Sequence, residues 1–333
     1  MTAPRTILCR PRLGELPVAS FQAALDRFEL GEFVSAEPIQ IGSFGQNVFL
    51  NSTRGNFVFR GAPHDPHQFA KERYFAEQLH LHTRTPVPWP FLIDDSSTLF
   101  PWPYVIMPCM PGAQLAEPAV VEALTDADWL SLAQTMGETI AEMQRLTRTT
   151  WGKFDGATGT VVSIAEPYAK WFVNHMRWYM TESRKSPRTT DADLEWIDRE
   201  FQRLRPALEA PFTSTYVMGD LNISNLTAEK TGEEWKITGV FDLVQSYFGN
   251  GEEDLIELAF YLNRPELVRA YFAAYRRSRK TPPGFEERMQ VYVLASRLKS
   301  WQWLTHIESP HLPKEGGLRE WVGKSGELLK SVL

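Results

Sequence analysis

The chain has 333 residues, of which 43% are hydrophobic and 23% charged, enough for two domains or one large one with a substantial core. Its net charge of −6 argues against nucleic acid as a partner and fits a cationic or neutral small molecule slightly better. No apolar run reaches the roughly 18 residues of a membrane span. Two cysteines make no disulfide framework, no secretory signal is evident, and a reducing, cytoplasmic location is expected.

The first 60 residues predict one packing helix followed by antiparallel strands. Apolar residues recur at helical spacing between residues 19 and 28: Phe21, Leu25 and Phe28. The strands expected over residues 38–60 are interrupted by the turn Gly42-Ser43-Phe44-Gly45. Gly42 and Gly45 would let backbone amides approach a phosphate closely, although two glycines in a hairpin are also ordinary turn residues.

A buried ion pair is predicted between Arg60, at the end of a strand, and Glu72 on the next helix. That helix is expected to begin at Asp65-Pro66, with Asp as N-cap and Pro in the first turn. Glu72 shares one helical face with apolar residues, namely Phe69, Ala76 and Leu79. Because an unpaired buried charge is costly, Glu72 needs a cationic partner, and Arg60 is the nearest candidate in chain order.

The middle of the chain changes from strands to helices. The run Tyr104–Met107 predicts a strand, and Pro108 to Gly112 breaks it. Thr125 and Asp128 form a capping-box pattern before a helical core stripe that extends to Met143. Further helices are expected over residues 166–182, 194–208 and 264–333.

The most informative stretch is YVMGDLNISNLTAEKTGEEWKITGVFD, from Tyr216 to Asp242. Two β-prone runs flank a polar turn near residues 230–232, and each run delivers an aspartate at or just past its end, Asp220 and Asp242. With Asn225 between them, we expect the three side chains to meet at one edge of a small sheet. Clustered oxygen ligands suit Mg²⁺, and a carboxylate beside such a metal can instead accept a proton from a hydroxyl.

The segments MGDLNISN and GVFD resemble the HGDxxxxN and DFG-like segments of the aminoglycoside phosphotransferase and choline kinase superfamily. The resemblance implies an α+β, two-lobed, protein-kinase-like fold. Residues 1–107 would form an N-lobe of antiparallel sheet plus helix, and residues 108–333 a larger, mainly helical C-lobe. It departs from the family in two places: Met218 stands where His is usual, and Arg60 where protein kinases have Lys.

The resemblance also implies site roles. Asp220 would be the catalytic base, and Asn225 and Asp242 would hold Mg²⁺. The remaining residues would bind ATP: Arg60, Glu72, Gly42, Ser43, Gly45 and, at the adenine edge, Met107 and Cys109. The γ-phosphoryl group of ATP would pass to a hydroxyl of a small hydroxylated molecule, amine-bearing molecules included. The protein would work as a monomer or homodimer, without nucleic acid or membrane.

Several alternatives stay open at this stage. The acceptor could be an aminoglycoside or other antibiotic, a choline-like amine, a sugar or an amino alcohol, since the fold does not fix the substrate. Met218 and Arg60 also allow a nucleotide-binding regulator with little or no turnover, and a metal-dependent hydrolase could use the same carboxylates. Glu252, Glu253 and Glu257 could attract an amine or form a solvated acidic face. Asp254 is expected to N-cap the next helix and to brace the loop containing Asp220.

Overall fold

The computed structural model describes residues 6–9, 12–39, 46–309, 311–313 and 316–333. The strands are β1 (Thr6–Leu8), β2 (Glu15–Pro17), β3 (Phe33–Pro38), β4 (Asn47–Ser52), β5 (Gly55–Gly61), β6 (Leu92–Asp94), β7 (Tyr104–Pro108), β8 (Ala113–Gln114), β9 (Thr147–Arg148), β10 (Gly152–Asp155), β11 (Thr160–Ser163), β12 (Ser214–Val217), β13 (Leu226–Thr231), β14 (Glu234–Val240) and β15 (Tyr247–Gly249). The helices are α1 (Val18–Arg27), α2 (Gln68–His82), α3 (Pro118–Ala123), α4 (Asp126–Met143), α5 (Tyr168–Ser183), α6 (Asp191–Glu209), α7 (Leu255–Leu262), α8 (Pro265–Ser278), α9 (Phe285–His306) and α10 (Leu318–Lys330). None of these helices combines the length and apolarity needed to cross a bilayer.

The N-lobe is an antiparallel sheet with strand order β3-β4-β5-β7-β6. Because side chains alternate between the faces of a strand, the outer face packs against α1 through residues such as Val48, Phe59 and Ile106. The inner face carries the intervening residues, including Val58 and Met107, toward α2 and the C-lobe. This alternation delivers Arg60 to the inner face, two residues after Val58.

Helix α2 begins at Gln68, two residues after Pro66, the first helical residue that the sequence predicts. The Asp65 carboxylate accepts a hydrogen bond from the His67 amide at 2.7 Å and so closes a local turn. The first bond of the regular helical ladder runs from the Lys71 amide to the His67 carbonyl, at 2.9 Å. Asp65 is therefore a turn residue and not the N-cap, while the inward position of Glu72 is as expected.

The C-lobe contains two further sheets, of order β11-β10-β15-β12-β9 and β14-β13-β8. The predicted hairpin around residues 230–232 exists, but its strands are β13 and β14. The strand that precedes Asp220, β12, instead pairs with β15 and β9. The prediction that Asp220, Asn225 and Asp242 meet at the edge of a single sheet was wrong. The sequence pattern did not show that β13 follows Asn225 and pairs with β14 in place of β12.

The helices of the C-lobe surround these sheets. The Thr125 and Asp128 side chains form both bonds of the predicted capping box at the start of α4. The α4 stripe that includes Met136 and Ile140 is buried in a hydrophobic cluster that continues into α2, β7 and α9. The two lobes thus share one apolar core on the side of α2. The division at residues 107 and 108 stays a prediction.

Candidate active site

A cleft of about 250 Å³ lies between the N-lobe sheet and the β13–β14 hairpin. Six of the residues singled out in the sequence line it: Arg60, Glu72, Met107, Cys109, Asn225 and Asp242. Gly42, Ser43 and Gly45 lie outside the described residues. The cleft therefore brings together side chains that are up to 182 positions apart in the chain, counted from Arg60 to Asp242.

Arg60 and Glu72 form the predicted buried ion pair. The Arg60 Nη1 atom lies 2.7 Å from Glu72 Oε2, and the two side chains are 9% and 2% exposed. Arg60 also donates to Asn47 Oδ1 at 2.8 Å, and Gln68 donates to the second oxygen of Glu72 at 3.0 Å. Burial lowers the pKa of Arg60, but the carboxylates of Glu72 and Asp242 raise it, and the net shift is upward. The guanidinium is thus held as a fixed cation facing the cleft.

Sequence reasoning did not identify Gln68 as part of this network. Its position, four residues before Glu72 on the same helix, was the available signal, because side chains at that spacing lie on one face.

The loop that contains Asp220 is held by Asp254. The two carboxylate oxygens of Asp254 accept from the backbone amides of Met218 at 2.6 Å and Gly219 at 2.9 Å. Asp254 occupies the N-cap position of α7, as expected, but its side chain makes no capping hydrogen bond to the first turn. The expected bracing role is observed. Gly219 has a φ of +78°, and a Cβ there would lie 3.0 Å from the Gln245 carbonyl oxygen, so a larger residue is disfavoured.

Asp220, Asn225 and Asp242 meet where the two C-lobe sheets adjoin. Asn225 and Asp242 stand at the same end of the β13–β14 hairpin, and the Phe241 amide donates to the Asn225 carbonyl at 3.2 Å. The Asn225 side-chain nitrogen donates to the Asp220 backbone carbonyl at 2.9 Å. Asp242 has a φ of +68°, and its carboxylate lies 3.5 Å from Arg60 Nη1.

The ionisation of Asp220 is strongly influenced by its surroundings. Asp220 is an exposed residue by its accessible surface. The protein atoms packed around its carboxylate nevertheless reduce the hydration of the charged form. Burial and the nearby Asp242 carboxylate raise the pKa of Asp220 to about 6, against the opposing effect of a hydrogen bond from Asn222. The negative charges of Asp220 and Asp242 repel each other, and a bound cation would reduce this repulsion.

The strand that ends the N-lobe exposes one backbone acceptor to the cleft. The Cys109 amide donates to the Asn56 carbonyl at 3.0 Å and is therefore occupied within the sheet. Because bonded and non-bonded pairs alternate in an antiparallel ladder, Pro108, opposite Phe57, directs its carbonyl away from β5. Strand β6 pairs only with residues 104–106, so it does not cover this carbonyl.

The acidic residues considered as an attraction for amines are each engaged within the protein. Glu252 is buried and receives two bonds from Arg288, at 2.6 and 2.8 Å. Glu253 pairs with Lys299 and accepts from Tyr247. Glu257 pairs with Arg297 at 2.8 Å. The expectation of a free acidic face here was wrong, because α9 supplies cationic partners from far along the chain.

The fold and the cleft together define a protein-kinase-like small-molecule phosphotransferase. A sequence profile of the Phosphotransferase enzyme family, APH, matches residues 35–289, and the chain belongs to this family. No curated protein matches the sequence.

Solved structures of similar fold include nucleotide complexes. The GDP and kanamycin complex of APH(2")-IIIa shares 15% identity at a TM-score of 0.61, with 92% of this chain and 95% of that chain covered. A mutant of APH(4)-Ia in complex with ADP and hygromycin B shares 14% identity at a TM-score of 0.62, with 93% of this chain and 97% of that chain covered. A protein assigned as a fructosamine-3-kinase from Thermobifida fusca shares 16% identity at a TM-score of 0.63, with 94% of this chain and 99% of that chain covered. At these identities the likeness shows the fold.

Proposed function

We propose that this protein transfers the γ-phosphoryl group of ATP to a hydroxyl group of a small molecule, with Mg²⁺ as the cofactor. The observation that carries the proposal is that Asn225 and Asp242 line one cleft beside the Arg60–Glu72 pair, with Asp220 hydrogen-bonded to Asn225 through its backbone carbonyl. Family membership supports the reaction class, and the nucleotides in the related complexes support a nucleotide as donor.

The donor atoms beside the cleft fit a hard divalent cation. Asn225 and Asp242 supply an amide oxygen and a carboxylate, which Mg²⁺ accepts while keeping waters and phosphate oxygens as further ligands. When bound, Mg²⁺ would neutralise charge on the transferred phosphoryl group. Arg60, fixed by Glu72, would contact phosphate oxygens, and its 3.5 Å approach to Asp242 places it beside the metal ligands.

Asp220 would orient the acceptor hydroxyl and take its proton. A pKa of about 6 leaves the group mostly ionised at neutral pH, yet makes it a better proton acceptor than an ordinary aspartate. The Pro108 carbonyl would accept a hydrogen bond from adenine, with Met107 and Cys109 as side-chain walls. A hydrolase that uses the same carboxylates would leave Arg60, Glu72 and this carbonyl without a role.

Asp220→Asn tests the proposal. The variant should fold and bind Mg²⁺ and ATP as before, while phosphoryl transfer to an acceptor falls by about 10²- to 10⁴-fold, the usual contribution of a general base. Asp95→Asn, at an exposed turn in the N-lobe, is the matched control and should keep full activity. The measurement is ADP release and phosphorylated product across a panel of hydroxylated compounds. Wild-type turnover in Asp220→Asn would remove this residue from the mechanism.

The same panel separates the proposal from its rivals. Saturable ATP binding without product from any acceptor would favour a nucleotide-binding regulator. Metal-dependent activity that continues without ATP would favour a hydrolase.

A further inference from the structure

Next to Asp220 lies a group of side chains that does not line the nucleotide cleft. This acceptor side consists of Lys71, Lys153, His175, Tyr179 and Lys299. Strand pairing and ring contacts connect this group to the loop that contains Asp220. Val217, three residues before Asp220, pairs with Tyr247, and the Tyr247 ring lies 5.4 Å from the Trp171 ring, over which the Lys153 ammonium lies. A molecule that reaches Asp220 from outside the cleft would therefore approach on the side where these residues lie.

Two lysines on this side come from different lobes. Lys71 belongs to α2, and Lys153 to β10 in the β10–β11 hairpin. The hairpin is held against α2, because the Phe154 and Tyr74 rings lie 5.7 Å apart. A Cβ at Gly156 would lie 2.2 Å from the His67 ring, so glycine permits a close approach there. This packing places α2 beside the hairpin, close enough for the Lys153 ammonium to act on that of Lys71.

Both lysines are half-buried, and neither pairs with a carboxylate of the described residues. The Lys153 ammonium lies 4.3 Å from the centre of the Trp171 ring, which holds it without neutralising it. Three carboxylates act on the two ammonium groups. Glu72 is engaged by Arg60 and Glu253 by Lys299, and the exposed Asp65 carboxylate accepts a hydrogen bond from the His67 amide. The two ammonium groups thus keep positive charge that no ion pair among the described residues neutralises.

The neighbouring ionisable groups respond to this charge. Burial and the Lys153 ammonium lower the pKa of Lys71 to about 8. Burial, Lys299 and Lys153 lower the pKa of His175 to about 4, despite the opposing effect of Glu253. A polycationic ligand would add to this repulsion, whereas an anion would relieve it.

We propose that Lys71 and Lys153 form an anion-binding subsite, so that the acceptor carries a carboxylate or a phosphate in addition to its hydroxyl. The inference rests on the proposed function, because it assigns the acceptor of that reaction. It also means that the aminoglycosides bound by the structural relatives are poor models for this acceptor.

A matched set of three-carbon compounds tests the charge preference. Glycerate, glyceramide and 3-amino-1,2-propanediol share hydroxyl groups and differ in charge, and glycerol 3-phosphate adds the phosphate. Each compound is titrated into protein saturated with ADP and Mg²⁺, and its binding is measured by ligand-observed NMR. Bound ADP prevents glycerol 3-phosphate from binding in the nucleotide cleft. We expect at least one anion to bind about tenfold or more tightly than the amine, as one charge-assisted hydrogen bond would give.

Substitutions assign the preference to the two lysines. Lys71→Met and Lys153→Met should each weaken the anion about tenfold and leave glyceramide and ADP unchanged. Lys170→Met is the control, because that side chain, on α5, is 69% exposed and pairs with Glu166. Comparison of glycerate with glycerol 3-phosphate then decides between carboxylate and phosphate.

Several outcomes would overturn the inference. They are equal or tighter binding of the amine, no saturable anion binding, an equal loss in Lys170→Met, or lysine variants that weaken only ADP. The last result would assign the lysines to the nucleotide. If ADP itself fails to bind, the proposed function fails, and the same titrations without nucleotide still decide the subsite.

Discussion

The nucleotide cleft and the acceptor side differ in how their charges are arranged. In the cleft, Arg60 is fixed by Glu72 yet still faces Asp242 at 3.5 Å, so it remains available to a phosphate. Near the acceptor side Glu252, Glu253 and Glu257 are neutralised by α9, and Lys71 and Lys153 form no ion pair within the described part of the chain. Net charge therefore says little about substrate, since an acidic chain can present a local cationic surface.

The sharpest test of this comparison is Glu252→Gln. If Glu252 serves the fold and not the substrate, removing its charge leaves the buried Arg288 uncompensated and should cost about 3 kcal/mol of unfolding free energy. KM for neutral and amine-bearing acceptors should not change relative to each other. Chemical denaturation and steady-state kinetics measure the two effects.

The control is Glu252→Leu combined with Arg288→Leu, which removes both charges and should be less destabilised than Glu252→Leu alone. A rise in KM confined to amines, with stability unchanged, would return Glu252 to substrate recognition.

The difference between the two regions also explains what the sequence could predict. Arg60 and Glu72 were paired correctly because helical periodicity places Glu72 inward and a buried carboxylate needs a cation. Asp220, Asn225 and Asp242 were identified from spacing within one short stretch. Both predictions depend on residues that lie close together in the sequence.

Long-range pairing was beyond the sequence. Arg288 lies 36 residues after Glu252, and nothing local indicates that α9 returns to this site. The sheet that contains β12 was missed for the same reason, since its neighbours β15 and β9 lie far away along the chain in both directions. Lys71 and Lys153 carry no motif, and only packing of the β10–β11 hairpin on α2 brings them together.

Asp254→Asn tests the loop that joins the two regions. An asparagine side chain can accept only through its oxygen, so one of the Met218 and Gly219 amides would face an NH₂ group. We expect a loss of about 1–3 kcal/mol in unfolding free energy, the cost of an unsatisfied buried donor, together with a fall in turnover. Hydrogen exchange at these two amides should speed up. Unchanged exchange and activity would show that the loop is held by other contacts.

The pH dependence follows from the raised pKa of Asp220. The group must be ionised to accept a proton, so kcat/KM should rise with pH through about 6 and then level off. At pH 5 it should be roughly tenfold below the plateau, since about a tenth of the groups are then ionised.

Stability gives an independent check with a defined sign. A carboxyl whose folded pKa is raised contributes stability at pH values below its unfolded pKa, and this is lost as pH rises through about 6. Asp220→Asn should therefore flatten the decline in Tm between pH 4 and 7 relative to wild type. An acid limb near the ordinary aspartate value, with parallel Tm curves, would contradict the assigned environment.

The smallest effect is expected at Met218, where the family usually has His. The Met218 side chain is fully buried, and its contribution to the loop is a backbone amide bonded to Asp254. Met218→Leu conserves volume and keeps that amide, so it should cost less than about 1.5 kcal/mol and leave kcat within a few-fold of wild type. Comparison of Met218→Leu with Asp254→Asn distinguishes the effect of the Met218 side chain on the loop from that of the Asp254 carboxylate. A large loss of activity in Met218→Leu, without loss of stability, would mean that the thioether itself positions Asp220, and bracing by Asp254 would then be insufficient.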